Sequence, residues 1–468
     1  MTLTPLAILI ALPDQITHVG AFIFPALLQI LAGALLVKRF SSDETGTLTI
    51  QEGGIVVLIS WTIAILFTAW PFVADLGLSF SQALFESMSG WTTTGLSVVD
   101  VTAASPIILL WRSIIQLAGG AGWAIIMMST LAGPTGAGVS GAEGRSDQLA
   151  PHVRQSARLV LLIYICYATA GIAAYWLAGM SPFDAINHSF AAVSTGGFST
   201  RPESIGYWNS SIIEAITLPL MVLGNLSFVT AWYLWRGKFG VVAKNGEIRL
   251  QTIVLPFAIL GTFILTTQAL YPQLEKSFRV AVFETVSALT TTGFSTVSYA
   301  NWNSSGVFML VALMLIGGGS CSTAGGIKQI RIYLLWKALV WEIRRMIMPQ
   351  DAVIKCVIWE GDQRTFLNDV KIRQTAVFVF IYMLVYALGV LLLCANGYSI
   401  RDSLFEFASA LGTVGISIGV TSPTMPTSAL YAQTLAMFLG RLEFMIVFTS
   451  IIKLAKDAYT IKTRQTKD

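Results

Sequence analysis

Four short polar segments built around glycine interrupt an apolar chain: TTTGLS (Thr92–Ser97), STGGFS (Ser194–Ser199), TTTGFS (Thr290–Ser295) and GTVGIS (Gly412–Ser417). What they offer chemically is backbone. A small residue tolerates the unusual φ that turns carbonyl oxygens inward, and inward carbonyls can replace the hydration shell of a cation. One loop cannot surround an ion, but four can. Aligned on Gly95, Gly197, Gly293 and Gly415, the residue two before is always threonine (Thr93, Thr195, Thr291, Thr413). The residue two after is always serine (Ser97, Ser199, Ser295, Ser417). Nine before stand Glu86, His188, Glu284 and Glu406, and ten before stand Phe85, Asn187, Phe283 and Phe405. Such agreement at several offsets marks an internal repeat, with 102, 96 and 122 residues between the glycines. The expected ion-binding filter comprises Thr93, Thr94 and Gly95, then Thr195, Gly196 and Gly197, then Thr291, Thr292 and Gly293, then Thr413, Val414 and Gly415. Glu86, His188, Glu284 and Glu406 could form a ring that concentrates cations, or brace the segments from behind. Bracing is favoured, because a group behind the loop lies outside the ion path.

Two further features carry polar chemistry inside apolar stretches. GGGSCSTAGG (Gly317–Gly326), followed by Ile327 and Lys328, cannot hold a regular helix. It is not a phosphate loop, since GxxxxGK[ST] is not satisfied. It reads as an unwound intramembrane gate made of Gly317, Gly318, Gly319, Ser320, Gly325, Gly326 and Lys328, with Lys328 either in the pore as a plug or latch, or snorkelling to the interface. Arg441, within MFLGRLE (Met437–Glu443), is a costly charge in an apolar helix and is expected to restrict cation passage below the filter. The alternative is a structural pair with Glu443, although residues two apart on a helix face different ways. Asn225 reads as a helix–helix hydrogen bond. Asp184 and Asp402 read as helix-start residues.

The elements that must position these residues follow from hydropathy. The chain has 468 residues, 54% of them hydrophobic and 12% charged, with mean hydropathy +0.70, which describes a polytopic membrane protein. Candidate spans are 19–37, 54–76, 106–133, 157–179, 211–235, 251–271, 305–340, 372–396 and 427–455. An apolar run, Leu3–Leu12, precedes them and is too short to cross. Between successive pairs lie the stretches 80–91, 182–193, 278–289 and 401–411. Twelve helical residues rise only about 18 Å, so each is a half-membrane helix, and each ends at a Gly segment. The expected fold is an all-α polytopic membrane protein: four helix–pore-loop–helix repeats with pseudo-four-fold symmetry around one ion pore, plus an N-terminal extra helix. The divisions are 1–49 (N-terminal helix region), 50–134, 135–237, 238–345 (with the gating loop) and 346–468 (with a cytoplasmic linker and basic C-terminus). The half helices point their partially negative C-terminal ends at the pore centre, which favours a cation.

Charge distribution orients the chain. Of 29 Lys and Arg residues, 23 fall within 38–53, 135–158, 236–250, 328–373 and 453–468. By the positive-inside rule these face the cytoplasm, including the C-terminus, and the Gly segments fall on the outer half. Cys166, Cys321, Cys356 and Cys394 are scattered, and His18, His152 and His188 are too far apart to suggest zinc. The opening stretch lacks a basic n-region and a small-residue cleavage site, so no leader is expected. Secondary transporters place broken helices in inverted repeats; here all four repeats run in one direction. A membrane enzyme would need a nucleophile–base pair, a metal cluster or paired carboxylates, and none is present. No enzymatic activity is expected.

Together, the four Gly segments in order, GGGSCSTAGGIK, GRLE, and STGGFST followed by SIGYWNS resemble the TrkH/TrkG/KtrB family of potassium uptake proteins, TrkH members most. The resemblance spans about residues 50 to 456. It implies a homodimeric, K⁺-conducting subunit in a bacterial inner membrane, in contact with lipid and with no nucleic acid. It implies K⁺ in the filter, a gate at Gly317–Lys328 and a pore-restricting Arg441. It also implies a cytoplasmic regulatory ring of TrkA/KtrA type that binds NAD(H) or ATP; this chain carries no GxGxxG and is expected to hold no cofactor itself. Glycine at all four filter positions resembles K⁺-selective members. GTVGIS departs from the TTTG pattern, which leaves Na⁺ permeation or ion-coupled symport on the same fold as the alternative. TrkH-type members carry two helices before the first unit and KtrB-type members none, whereas one clear helix precedes it here.

Overall fold

A computed structural model of the chain describes residues 1–40, 49–122, 153–349, 356–360 and 363–465. The expected segments 123–133 of the first inner helix, 135–152 of the second unit, and 41–48 lie outside the described residues, as does His152.

Among the described residues the helices follow one order in each unit: a long outer helix, a half helix, a Gly segment and an inner helix. The outer helices are Ile50–Leu76, Val153–Leu177, Gly246–Thr262 and Asp369–Ala395. The third continues through a π-helical turn, Phe263–Thr267, to Leu270. The half helices are Phe80–Trp91, Pro182–Val193, Leu274–Leu289 and Ile400–Leu411. Three of them start on serine caps: Ser79, Ser181 and Ser399 accept from the backbone N–H of Gln82, Asp184 and Asp402. The third begins earlier than expected, at Leu274.

The long helices and the inner helices differ in continuity. Gly20–Phe40 and the four outer helices are each long and apolar enough to cross a membrane unbroken. No described inner helix is. The first is Pro106–Ala121, and the third stops at Ile316 and resumes at Gln329. The second and fourth expected spans, 211–235 and 427–455, are not straight. Ser211–Asn225 meets Phe228–Trp235 at 115°, and Thr427–Leu442 meets the following helix, which begins at Phe444, at 99°. The fourth bend sits at Glu443, a non-glycine residue at φ +61°.

The N-terminal run forms two short 3-10 turns, Thr4–Ile10 and Pro13–His18. With Gly20–Phe40 they pack on the first unit through Ile8, Phe22, Phe72, Ile107 and Trp111. His18 also meets Asp75, whose other oxygen accepts from Ser105 Oγ at 2.7 Å. The stretch expected as a plain linker holds an antiparallel hairpin, Val357–Glu360 with Gln363–Phe366. It is seated on the third unit through Ile358, Tyr333 and Leu334.

Candidate ion pathway

Each half helix ends the same way. The N–H groups of Thr94, Gly196, Thr292 and Val414 bond to the carbonyls of Ser89, Ala191, Ser287 and Ser409 at 2.8–3.0 Å. The preceding threonines bond to Gly90, Ala192, Ala288 and Ala410 at 3.1–3.3 Å. This is a Schellman closure, which needs a left-handed residue, usually glycine. Here that residue is threonine: Thr93, Thr195, Thr291 and Thr413 have φ of +54°, +50°, +53° and +50°. A β-branched residue in this region is strained, and four such residues at equivalent positions indicate a conformation imposed by their surroundings. The glycines two residues on also have positive φ, +96°, +70°, +82° and +98°. Alternating the sign of φ points successive carbonyls the same way.

The four segments close into a ring. A Cβ on Gly95 would lie 2.2 Å from the carbonyl oxygen of Gly196, and one on Gly197 would lie 2.2 Å from that of Thr292. A Cβ on Gly293 would lie 2.0 Å from Val414 O, and one on Gly415 would lie 2.0 Å from Thr94 O. Each filter glycine thus abuts the carbonyl just before the filter glycine of the next unit, in the order one, two, three, four, one. The twelve residues Thr93 to Gly95, Thr195 to Gly197, Thr291 to Gly293 and Thr413 to Gly415 are brought together around one axis. Thr94 and Thr292 hydroxyls are held by Thr92 and Thr290 at 2.8 Å.

The buried groups nine residues before each glycine sit behind the ring. Glu86 accepts from Val98 N–H at 3.1 Å and Ser97 Oγ at 3.0 Å. Glu284 accepts from Thr296 N–H at 2.8 Å and from the Tyr299 hydroxyl. Glu406 accepts from Ile418 N–H at 3.1 Å and Thr421 N–H at 3.0 Å. His188 meets Ser199 Oγ at 2.9 Å and Asp184 O at 2.8 Å. Asp184 and Asp402 stand in the first turns of their half helices as expected, each accepting from the capping serine hydroxyl at 2.9 and 2.7 Å, and Asp184 also accepts from Thr200 Oγ1 at 2.6 Å and pairs with Arg201 at 3.2 Å.

Gly317 to Lys328 is non-helical and lies across the ring's inner side. Thr323, a residue the sequence did not single out, is its point of contact: Thr93 Oγ1 donates to its carbonyl at 3.3 Å, and Thr195 Oγ1 meets its hydroxyl at 3.0 Å. Gly325 N–H donates to Thr291 Oγ1 at 3.0 Å, and a Cβ on Gly325 would lie 2.0 Å from Thr413 Oγ1. All four strained threonines therefore face this loop. Arg441 lies beneath it, donating to Thr323 O at 2.6 Å and to Gly119 O at 2.7 Å. It does not pair with Glu443, which bonds Arg331 at 2.8 Å. Lys328 does not snorkel: its ammonium folds back to Ala324 O at 2.7 Å and Gly319 O at 3.4 Å. Gly318 N–H bonds Gly325 O at 3.0 Å, Ser320 N–H bonds Glu247 at 2.6 Å, and Gln329 bonds Gly317 O at 3.1 Å. Gly326 takes φ +81°. Asn225 accepts from Gly319 N–H at 3.1 Å, so it holds this loop rather than a neighbouring helix.

Arg112 and Gln116 were also missed, although an arginine within the apolar run PIILLWRSIIQL was a legible signal. Arg112 pairs with Glu86 at 2.8 Å and is fully buried.

Residues 21–461 match the family model TrkH, described as a cation transport protein. An uncharacterized cation transporter of Methanocaldococcus jannaschii is 33% identical over 430 residues, 91% of this chain and 87% of that protein. The Trk system potassium uptake protein TrkG of Escherichia coli is 30% identical over 457 residues, 94% of this chain and 92% of its own. The crystal structure of the potassium transporter TrkH from Vibrio parahaemolyticus superposes with a TM-score of 0.82 at 28% identity, covering 97% of this chain and 94% of that one.

Proposed function

The chain belongs to the TrkH family of cation transport proteins, and on that premise we propose that it is the ion-conducting membrane subunit of a potassium uptake system. The observation that carries the reading is the closed ring of backbone, in which each filter glycine meets a carbonyl of the next unit. Carbonyl oxygens fixed around one axis substitute for water around a dehydrated K⁺, and a ring braced from behind resists shrinking onto the smaller Na⁺. The C-terminal ends of four half helices converge on the same point and add partial negative charge there.

Conduction is gated from below. Gly317–Lys328 plugs the inner side of the ring through Thr323 and Gly325, and the Arg441 guanidinium holds the plug and places a positive charge in the exit path. Opening withdraws the loop. The chain works as a homodimer in a bacterial inner membrane with its C-terminus in the cytoplasm. A cytoplasmic regulatory ring binding NAD(H) or ATP drives the loop; the hairpin at 357–366 and the helix Gln329–Ile347, which leads directly out of the loop, offer it a lever.

Complementation tests this function. Expressed with its regulatory partner in a bacterium stripped of its own K⁺ uptake systems, the chain restores growth at limiting K⁺. Membrane-inserted protein that restores no growth would contradict the reading.

A further inference from the structure

The second Gly segment lacks the supports that hold the other three. Its position nine before the glycine is His188, where the others carry glutamate. A carboxylate offers about four lone-pair sites and can accept several N–H bonds, whereas a neutral imidazole has one acceptor nitrogen. His188 contacts Ser199 Oγ and Asp184 O, and neither contact is a backbone N–H of the segment. A second support is missing six residues before the glycine. Ser89 Oγ accepts from Gly95 N–H at 3.0 Å, Ser409 Oγ accepts from Gly415 N–H at 3.0 Å, and Ser287 Oγ donates to Phe294 O at 2.6 Å. The second unit carries Ala191 there.

The first unit's inner helix holds this segment instead, at neighbouring backbone atoms. Gln116, completely buried, donates its amide to Gly196 O and accepts from Phe198 N–H at 3.2 Å. Only one orientation of the amide satisfies both bonds. One turn earlier on the same face, Arg112 donates to Ser199 O at 3.1 Å and stands 4.0 Å over the Phe198 ring, while its other nitrogens hold Glu86 and Ser97. The arrangement is particular to this unit. Gly119, Gly224 and Gly440 each lie under the last carbonyls of their own half helix, and the residue three before is Gln116 in the first unit but Met221 and Met437 in the second and fourth. Gly196 completes the fit. Thr94, Thr292 and Val414 occupy the equivalent positions, but a Cβ on residue 196 would lie 2.4 Å from Gln116 Cδ.

We infer that Gln116, supported by Arg112, is a positioning residue that fixes the second Gly segment in place of the missing carboxylate and serine, and thereby sets the ion selectivity of the whole ring. The inference rests on the filter reading above. Because each segment abuts the next, a slack second segment loosens its neighbours, and cation discrimination suffers before folding does.

The test is the K⁺/Na⁺ permeability ratio of the reconstituted full chain, from bi-ionic reversal potentials, for Gln116→Met and Gly293→Ala side by side. Gln116→Met supplies the side chain that the second and fourth units use. It is expected to lower the ratio roughly tenfold, the factor that corresponds to losing one to two net hydrogen bonds, with K⁺ flux retained. A merely structural role would reduce the yield of folded protein without moving the ratio. If Gly293→Ala lowers the ratio and Gln116→Met does not, this inference is overturned and the filter reading stands. If neither moves it, the filter reading has failed and this inference with it. Should Gln116→Met not fold, Gln116→Glu takes its place: it keeps the acceptor for Phe198 and loses the donor to Gly196, and the same fall in ratio is expected, an unchanged ratio again overturning the inference.

Discussion

Replacing Gly293 by alanine adds one methyl group at one of the two tightest glycine contacts in the ring. That methyl would lie 2.0 Å from Val414 O and 3.0 Å from Gly415 Cα, against 3.4 Å for an ordinary contact. The obstruction is backbone, so relief requires the third and fourth segments to part by about 1.4 Å at this point. A displacement of that size exceeds the difference in radius between K⁺ and Na⁺. Alanine must also hold φ near +82°, which costs an L-residue roughly 1–2 kcal/mol. Here parting the segments relieves the clash and this strain together, and one to two kcal/mol so relieved shifts an equilibrium roughly 5- to 30-fold, so a ring widened at this contact becomes well populated. The K⁺/Na⁺ permeability ratio should fall by about that factor. Gly397→Ala is the control. Its φ is +92°, yet a Cβ there meets nothing within 4 Å. It carries the same backbone strain without touching the ring and should leave the ratio unchanged. Equal falls in both variants, or none in Gly293→Ala with folded protein, would refute the argument from ring geometry.

Gly325→Ala would push a methyl to 2.0 Å from Thr413 Oγ1 and 2.5 Å from Gly412 O, which should drive the loop from beneath the ring. Basal flux should rise several-fold with the K⁺/Na⁺ ratio intact; a fall in flux would place the loop outside the gate. Arg441→Ala removes both bonds, to Thr323 O and to Gly119 O, and should likewise raise flux, while unchanged flux from folded protein would leave Arg441 a purely structural role. Glu406→Gln replaces a carboxylate that accepts from Ser417, Ile418 and Thr421 by an amide with one acceptor oxygen. A loss of roughly 1–3 kcal/mol is expected, measured as a lowered thermal midpoint in detergent; a midpoint equal to wild type would argue against bracing.

The repeat was legible because backbone demands leave a residue signature. Glycine at each ring contact, glutamate or histidine nine residues earlier and Gly317–Gly326 in mid-helix all announce themselves, and all lie where the alignment of units puts them. The bends of the second and fourth inner helices were not legible. Asn225-Leu226-Ser227 and Leu442-Glu443-Phe444 contain neither glycine nor proline, and the apolar pattern runs straight through them. The fourth bend is fixed by tertiary contacts, above all the Arg331–Glu443 pair at 2.8 Å. The left-handed threonines were hidden for a related reason: their intrinsic preference opposes the conformation that the ring and the loop impose. Ser89, Ser287 and Ser409, six residues before three of the four glycines, were open to the same alignment that found the glutamates. Thr323 and Gln116 were not, because each acts on a segment about 80 or more residues away in sequence.

Uptake of ⁸⁶Rb⁺ into liposomes holding the purified chain with its cytoplasmic partner, with K⁺ and Na⁺ as competitors, tests the central claim most directly. K⁺ should suppress the uptake and equal Na⁺ barely affect it, and Gly293→Ala should make it sensitive to Na⁺. Uptake suppressed equally by both ions in the wild-type chain, or none with the partner present, would contradict a K⁺-selective ring of four backbone segments.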